Sequence, residues 1–155
     1  MPDPDPTTTR THGLTSTEVS TLASKAVAAK ELAYCPYSNF RVGCALLCED
    51  GEYVLGANIE NASYPVTICA ERTAFSKAIV EGRKKFRAVG VSTDISPPAS
   101  PCGMCRQFIR EFCDLNTPIF MWDKDGQYLV MTLEQLLPMS FGPEQLHKPD
   151  PKGSN

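Results

Sequence analysis

Two short segments, well separated in the chain, constrain the fold most strongly. They are Cys69-Ala70-Glu71-Arg72 and Pro101-Cys102-Gly103-Met104-Cys105. Cys102 and Cys105 have the Cys-x-x-Cys spacing of a zinc ligand pair, and residues three apart lie on one face of a helix. If Cys69 is a third ligand of the same ion, the fold must bring the starts of two helices together.

Both segments open a predicted helix, one over Ile68 to about Val80 and the other from Cys102 to Phe112. A helix N-terminus favours negative charge and lowers the pKa of a thiol, and zinc binds the thiolate form. Arg72 can offset the negative charge of the thiolates by hydrogen bonding to them. Glu71 can move a proton between water at the metal and a substrate. The alternative role for Glu71 is to complement the helix dipole.

Histidine is too scarce to complete this site. The chain has two histidines, His12 and His147, and both fall in predicted tails. The predicted ligands are therefore Cys69, Cys102 and Cys105. Three protein ligands leave the open fourth position that distinguishes a catalytic zinc from a structural one.

The other cysteines leave a closed four-cysteine structural site open as an alternative. Cys35 and Cys113 are possible fourth ligands, although neither has paired ligand spacing. Cys44 lies in an apolar predicted strand and is expected to be a core thiol, and Cys48 has no predicted role.

The 155 residues predict one domain over residues 14–147, with a disordered N-terminal tail over 1–13 and a C-terminal tail over 148–155. A net charge of −3 argues against binding of nucleic acid through its phosphates. The chain has neither an apolar run long enough to span a membrane nor a secretory signal. We therefore expect a reducing cytosol, with the nucleus as a second possible compartment, where seven cysteines are thiols or metal ligands.

The order of elements predicts an α/β fold, a three-layer α-β-α sandwich around a mixed five-stranded sheet. Thr15 and Glu18 have the spacing of a capping box, which predicts the start of the first helix there. Pro36 is predicted to stop this helix. The predicted strands cover residues 40–47, 53–57, 86–92, 118–122 and 128–131, and a last short helix covers 133–137.

Cys-Ala-Glu followed by Pro-Cys-x-x-Cys resembles a variant of the zinc-deaminase signature. Four segments resemble the small homotetrameric cytidine deaminases in particular: residues 34–38, 58–62, 69–74 and 140–144. The resemblance covers roughly residues 15–147. Two positions depart from that pattern. Met104 stands where a smaller residue such as Ala is expected, and Thr67 stands where a Gly is expected.

The resemblance implies hydrolysis of cytidine and 2′-deoxycytidine to the uridine products in pyrimidine salvage, with one zinc ion per chain. Glu71 would carry a proton from the attacking water to N3 of the base and then help ammonia to leave. In the homotetramer that the resemblance implies, Tyr64 and Phe141 would close active sites between neighbouring subunits.

The resemblance also implies a set of nucleoside contacts within one subunit. Asn58 and Glu60 would hold the ribose 3′-hydroxyl, and Phe40 would pack on the nucleoside. The backbone of Ala70 would bind the pyrimidine edge, and the carbonyl of Ser100 would accept from the amino group. From the residues alone, the alternative for Asn58 and Glu60 is a solvated loop, and the alternative for Phe40 is core packing at the start of a strand.

Two other functions use the same motifs. A polynucleotide cytosine deaminase shares the chemistry, but it usually has His-x-Glu and needs a basic groove with exposed aromatic residues. A non-catalytic zinc-binding module would need four protein ligands that close the zinc site, and it would leave Glu71 without a role.

Overall fold

The computed structural model describes residues 10–146 of the chain. Within that range the strands are β1 (Arg10–Thr11), β2 (Leu14–Thr15), β3 (Val42–Cys48), β4 (Tyr53–Ala57), β5 (Phe86–Thr93), β6 (Pro118–Trp122) and β7 (Tyr128–Thr132). The α-helices are α1 (Ser16–Ala29), α2 (Ala70–Val80), α3 (Gly103–Phe112) and α4 (Leu133–Leu136). None of the helices in residues 10–146 has the length and hydrophobicity that a membrane span requires.

The main sheet has five strands in the order β4-β3-β5-β6-β7, and it is mixed because β5 and β6 pair in parallel while the other pairs are antiparallel. Side chains alternate across it. Cys44 and Leu46 of β3 pack in the core beneath α2, α3 and α4, whereas Ala45 and Leu47 pack against α1. The predicted three-layer sandwich with its mixed five-stranded sheet is confirmed.

Two glycines allow the helices to lie directly on the strands. A Cβ atom on Gly56 of β4 would lie 2.4 Å from the backbone nitrogen of Ala74 in α2. A Cβ on Gly43 of β3 would lie 2.1 Å from the carbonyl oxygen of Ala26 in α1. Both helices are therefore held at close distances that a larger side chain would prevent.

The topology places the starts of α2 and α3 at the same edge of the sheet. Since β3 is antiparallel to both β4 and β5, those two strands run in the same direction. The chain leaves β4 to enter α2 and leaves β5 to enter α3. Both helices thus begin beyond the carboxyl ends of strands, which is where α/β folds bind their ligands.

The predicted capping box is present. The hydroxyl of Thr15 accepts from the backbone of Glu18 at 3.1 Å, and the Glu18 carboxylate accepts from the backbone of Thr15 at 2.9 Å. α1 ends at Ala29 and continues as a 3-10 turn over Lys30–Leu32.

Ordered structure begins earlier than the predicted tail boundary at residue 13. Arg10 and Thr11 pair with Thr15 and Leu14 in a short hairpin. The hairpin is anchored because Leu14 is buried and the His12 ring packs edge-on against Phe120, with ring centroids 6.1 Å apart. The rest of the predicted N-terminal tail, residues 1–9, lies outside the described residues, as do residue 147 and the whole of the predicted C-terminal tail, residues 148–155.

Candidate metal centre and active site

Three thiols meet at the starts of α2 and α3. The sulfur atoms of Cys69, Cys102 and Cys105 all lie within 4.8 Å of one another, and the Cys69 and Cys102 sulfurs are 3.8 Å apart. Cys69 and Cys102 are the N-cap residues of their helices, and neither side chain makes a capping hydrogen bond. Cys105 is the third residue of α3, a position whose side chain faces the N-cap. Helix-start geometry therefore brings Cys102 and Cys105 together.

The donor set suits zinc, since thiolates are strong zinc ligands. The other cysteines lie elsewhere: Cys44, Cys48 and Cys113 are in the apolar core, and Cys35 is half-buried outside the cluster. His12 packs on the opposite side of the sheet. Among residues 10–146, the group able to hold a metal is limited to these three thiols, which is the arrangement that leaves a fourth position open.

Arg72 lies against the cluster and places a positive charge beside the Cys69 sulfur. Its Nη2 donates to the Cys69 sulfur at 3.4 Å and to the Thr67 carbonyl at 3.5 Å. The pKa of Cys69 is lowered, because a hydrogen bond from Cys105 and another from Arg72 stabilise its thiolate. The pKa of Cys105 is raised by its bond to Cys69 and by burial. These shifts favour the thiolate form of Cys69, and metal binding would displace protons from the ligand thiols.

Glu71 is the buried acid of this site. It is the second residue of α2 and only 4% exposed, and its Oε2 lies 3.6 Å from the Cys105 sulfur. Burial raises the pKa of the Glu71 carboxyl, and the negative charge of Cys69 adds to that effect. A carboxyl whose pKa is raised towards neutrality can both accept and return a proton.

A cavity of about 350 Å³ opens beside the cluster, within the size range of small-molecule sites. Cys69, Cys102 and Glu71 line one part of it. Four of the predicted nucleoside contacts also line it: Phe40, Asn58, Glu60 and Ser100. Ala70, the first residue of α2, is fully buried between Cys69 and Glu71.

Asn58 and Glu60 are held firmly in the cavity wall. The Asn58 amide accepts from the backbone of Val42 at 2.9 Å and donates to the Phe40 carbonyl at 2.7 Å. The Glu60 carboxylate accepts from the Ser38 hydroxyl at 2.6 Å and from two backbone N–H groups, of Tyr37 and Ser38. The bond from Ser38 contributes most to lowering the pKa of Glu60, so this residue is a fixed anionic acceptor.

Tyr64 and Phe141 do not line this cavity. Tyr64 is 69% exposed and packs against Tyr37, with ring centroids 5.6 Å apart. Phe141 is 57% exposed, and its carbonyl accepts from Gln107 of α3 at 2.9 Å. A single chain therefore leaves both aromatic side chains on its surface.

Two residues at or near the site were not predicted from the sequence. Arg106 donates three hydrogen bonds of 2.7 Å, to the Pro101 carbonyl, the Leu136 carbonyl and the Ser100 hydroxyl, and so fixes the segment that enters the metal cluster. Thr93, the last residue of β5, forms part of the cavity wall. No local pattern could reveal either role, because the cavity and the Leu136 contact arise from tertiary packing.

Arg72→Gln is expected to weaken metal retention and lower turnover, because glutamine lacks the positive charge that stabilises the thiolates. Loss of an outer partner of a metal ligand typically lowers metal affinity about 10- to 100-fold, which competition with a zinc chelator would measure. Arg83→Gln is the control, since Arg83 forms surface ion pairs with Asp50 and Glu81. Equal zinc affinity and turnover in the Arg72 variant and the wild type would refute this role.

The cluster, the buried carboxyl and the cavity define a metal-dependent hydrolytic site on an α-β-α sandwich. Residues 16–121 match the family model of the cytidine and deoxycytidylate deaminase zinc-binding region. The chain is 46% identical over 129 residues to a cytidine deaminase of Sporosarcina psychrophila, covering 83% of this chain and 95% of the relative. It is 43% identical over 118 residues to a probable cytidine deaminase of Dictyostelium discoideum, covering 76% and 79% of the two chains.

Solved structures agree with the sequence relatives. The crystal structure of cytidine deaminase from Burkholderia pseudomallei matches with a TM-score of 0.77 and 40% identity, over 79% of this chain and 98% of that one. The cytidine deaminase of Mycobacterium tuberculosis matches with a TM-score of 0.71 and 34% identity, over 81% and 98%. The chain belongs to the zinc-binding cytidine and deoxycytidylate deaminase family.

Proposed function

We propose that this chain catalyses the zinc-dependent hydrolytic deamination of cytidine and 2′-deoxycytidine to uridine and 2′-deoxyuridine, as a step of pyrimidine salvage. The observation that carries the proposal is the buried Glu71 carboxyl beside the three-thiol cluster, at one end of a cavity that also contains Asn58 and Glu60. The names of the relatives support the same substrate class.

Cys69, Cys102 and Cys105 would hold the zinc ion, which when bound makes water nucleophilic near neutral pH. The Glu71 carboxylate would accept one proton of the attacking water and deliver it to N3 of the pyrimidine as the water oxygen bonds to C4. The same carboxylate would then take the proton left on the new C4 hydroxyl and pass it to the amino group, whose bond to C4 breaks as ammonia leaves. Burial of Glu71 supports this cycle because it raises the pKa of the carboxyl, which makes the group a better proton acceptor.

The remaining wall of the cavity would bind the nucleoside. The carbonyl of Ser100 would accept from the amino group, and the backbone of Ala70 would bind the pyrimidine edge. Phe40 would pack on the nucleoside, held there by its bond from Asn58. Asn58 keeps one lone pair and one N–H beyond its two backbone contacts, so it could join Glu60 in binding the ribose 3′-hydroxyl.

We further propose a homotetramer in which Tyr64 and Phe141 complete active sites of neighbouring subunits. Their exposure on the single chain and their absence from its own cavity support this role. Gel filtration should then give four times the 17.0 kDa chain mass, and a monomer would contradict it.

The free thiols of the chain also favour the reducing cytoplasm as the compartment of this protein.

An assay on purified protein tests the proposed activity. Protein with about one zinc per chain should convert cytidine to uridine. The change in ultraviolet absorbance measures this conversion. Adenosine is the matched substrate control and should remain unchanged, since the proposed contacts bind a pyrimidine. Deamination of cytosine in single-stranded DNA without action on free cytidine would instead favour a polynucleotide deaminase.

A further inference from the structure

The hydroxyl of Thr93 is a buried polar group without a partner in the cavity wall. Thr93 is 2% exposed, and its Oγ1 has no hydrogen-bond partner among the described residues. Leaving a buried hydroxyl without a partner is unfavourable, because the group has lost its hydrogen bonds to water. Such a group is expected to be satisfied by something that enters the cavity.

The strand register directs Thr93 towards the cavity. Val89 and Val91 of β5 pack in the core on the α2 side of the sheet. Because side chains alternate along a strand, Thr93 faces the same side, and both Val91 and Thr93 line the cavity. Ser92 lies between them and faces the opposite layer.

The backbone around Thr93 is held rigidly at the Asn58 side of the cavity. Thr93 pairs across the sheet with Val42, whose backbone is bound by the Asn58 side chain. The buried Lys30 donates to the Thr93 carbonyl at 3.4 Å and to the Asp94 carboxylate at 2.9 Å. The hydroxyl is therefore presented from a fixed position.

The other polar side chains of the cavity wall already have partners within the chain. Thr67 accepts from the backbone of Asn61 at 3.3 Å, and Ser100 accepts from Arg106 at 2.7 Å. The full set with internal partners is Ser38, Asn58, Glu60, Thr67, Glu71 and Ser100. Among the hydroxyl, amide and carboxyl groups that line the cavity in the described chain, the Thr93 hydroxyl is the one left unpartnered.

We infer that the Thr93 hydroxyl is a substrate-binding group that hydrogen-bonds an oxygen of the bound pyrimidine nucleoside. This inference rests on the proposed function and adds a residue to its binding site. The contact is made equally to the bound substrate and product, so it should govern affinity and leave the rate of the chemical step nearly unchanged.

Thr93→Val removes the hydroxyl while keeping the branched shape of the side chain. We expect the KM for cytidine and the inhibition constant of uridine to rise about 3- to 10-fold, the effect of one net hydrogen bond, with kcat nearly unchanged. Thr93→Ser keeps the hydroxyl and should restore most of the affinity. The melting temperature of the free Thr93→Val protein should not fall, because the substitution removes an unpartnered polar group.

Ser92→Ala is a matched control. Ser92 is fully buried and its hydroxyl is also without a partner among the described residues, but it does not line the cavity. Its loss should leave KM and the uridine inhibition constant unchanged. A purely structural role for Thr93 would lower its melting temperature and leave both constants at wild-type values, and that result would overturn the inference.

Comparing cytidine with 2′-deoxycytidine shows which nucleoside oxygen the Thr93 hydroxyl binds. A loss of affinity for cytidine alone assigns the bond to the 2′-hydroxyl, whereas equal losses for cytidine and 2′-deoxycytidine assign it to an oxygen that both carry. Either result supports the inference. If the wild type itself fails to deaminate cytidine, the proposed function is wrong; if the wild type is active and Thr93→Val binds normally, the Thr93 inference alone is wrong.

Discussion

Glu71→Gln should keep its zinc and lose nearly all turnover of cytidine. The glutamine side chain has almost the same size and can occupy the buried position, but it cannot accept the proton of the attacking water. Proton transfer by a positioned side chain is typically worth about 10²- to 10⁴-fold in rate, so kcat should fall by that amount. The measurement pairs steady-state kinetics with zinc content by elemental analysis.

Glu111→Gln is the control for that substitution, since Glu111 is exposed on α3 and lies outside the cavity wall. It should retain wild-type kinetics. If Glu71→Gln turns over cytidine at more than a few per cent of the wild-type rate, that result would contradict the proton-transfer role of Glu71. Loss of zinc from that variant would show instead that the carboxyl supports the metal.

Cys105→Ser should lose zinc, activity and stability together. Cys105 is fully buried within the cluster, and a serine hydroxyl cannot replace a thiolate as a zinc ligand. Because the metal binds the folded site, its binding free energy contributes to folding stability. We therefore expect less than about one tenth of the wild-type zinc content, with a lower melting temperature.

Two controls separate metal loss from general damage. Cys35→Ser removes a half-buried thiol outside the cluster and should keep full zinc content and activity. Wild-type protein stripped by a chelator should melt at the lower temperature of Cys105→Ser. A Cys105→Ser protein that keeps one zinc per chain and wild-type turnover would remove Cys105 from the ligand set.

The centre of the site could be predicted from the sequence because its residues lie at helix starts with local spacing. Cys102 and Cys105 are an N-cap and a third helical residue, and Cys69 is an N-cap. Such positions are marked by nearby residues, as Pro101 marks the start of α3. The sandwich followed from the order of elements, in which strands separated by helices favour helices on both faces of a sheet.

The surroundings of the site could not be predicted in the same way. Arg106 binds the carbonyl of Leu136, and the Thr93 hydroxyl is left without a partner among the described residues. Both properties depend on which segments pack together. The N-terminal hairpin was also missed, since the aromatic contact of His12 with Phe120 joins residues far apart in the chain.

In the proposed site, Cys69, Cys102 and Cys105 hold a zinc ion with a fourth position open to the cavity. Zinc K-edge X-ray absorption on the purified protein tests it most directly. We predict three sulfur ligands at about 2.3 Å and one lighter oxygen or nitrogen ligand at about 2.0 Å. A shell of four sulfur ligands would contradict this coordination, because a closed site leaves no position for water to be activated.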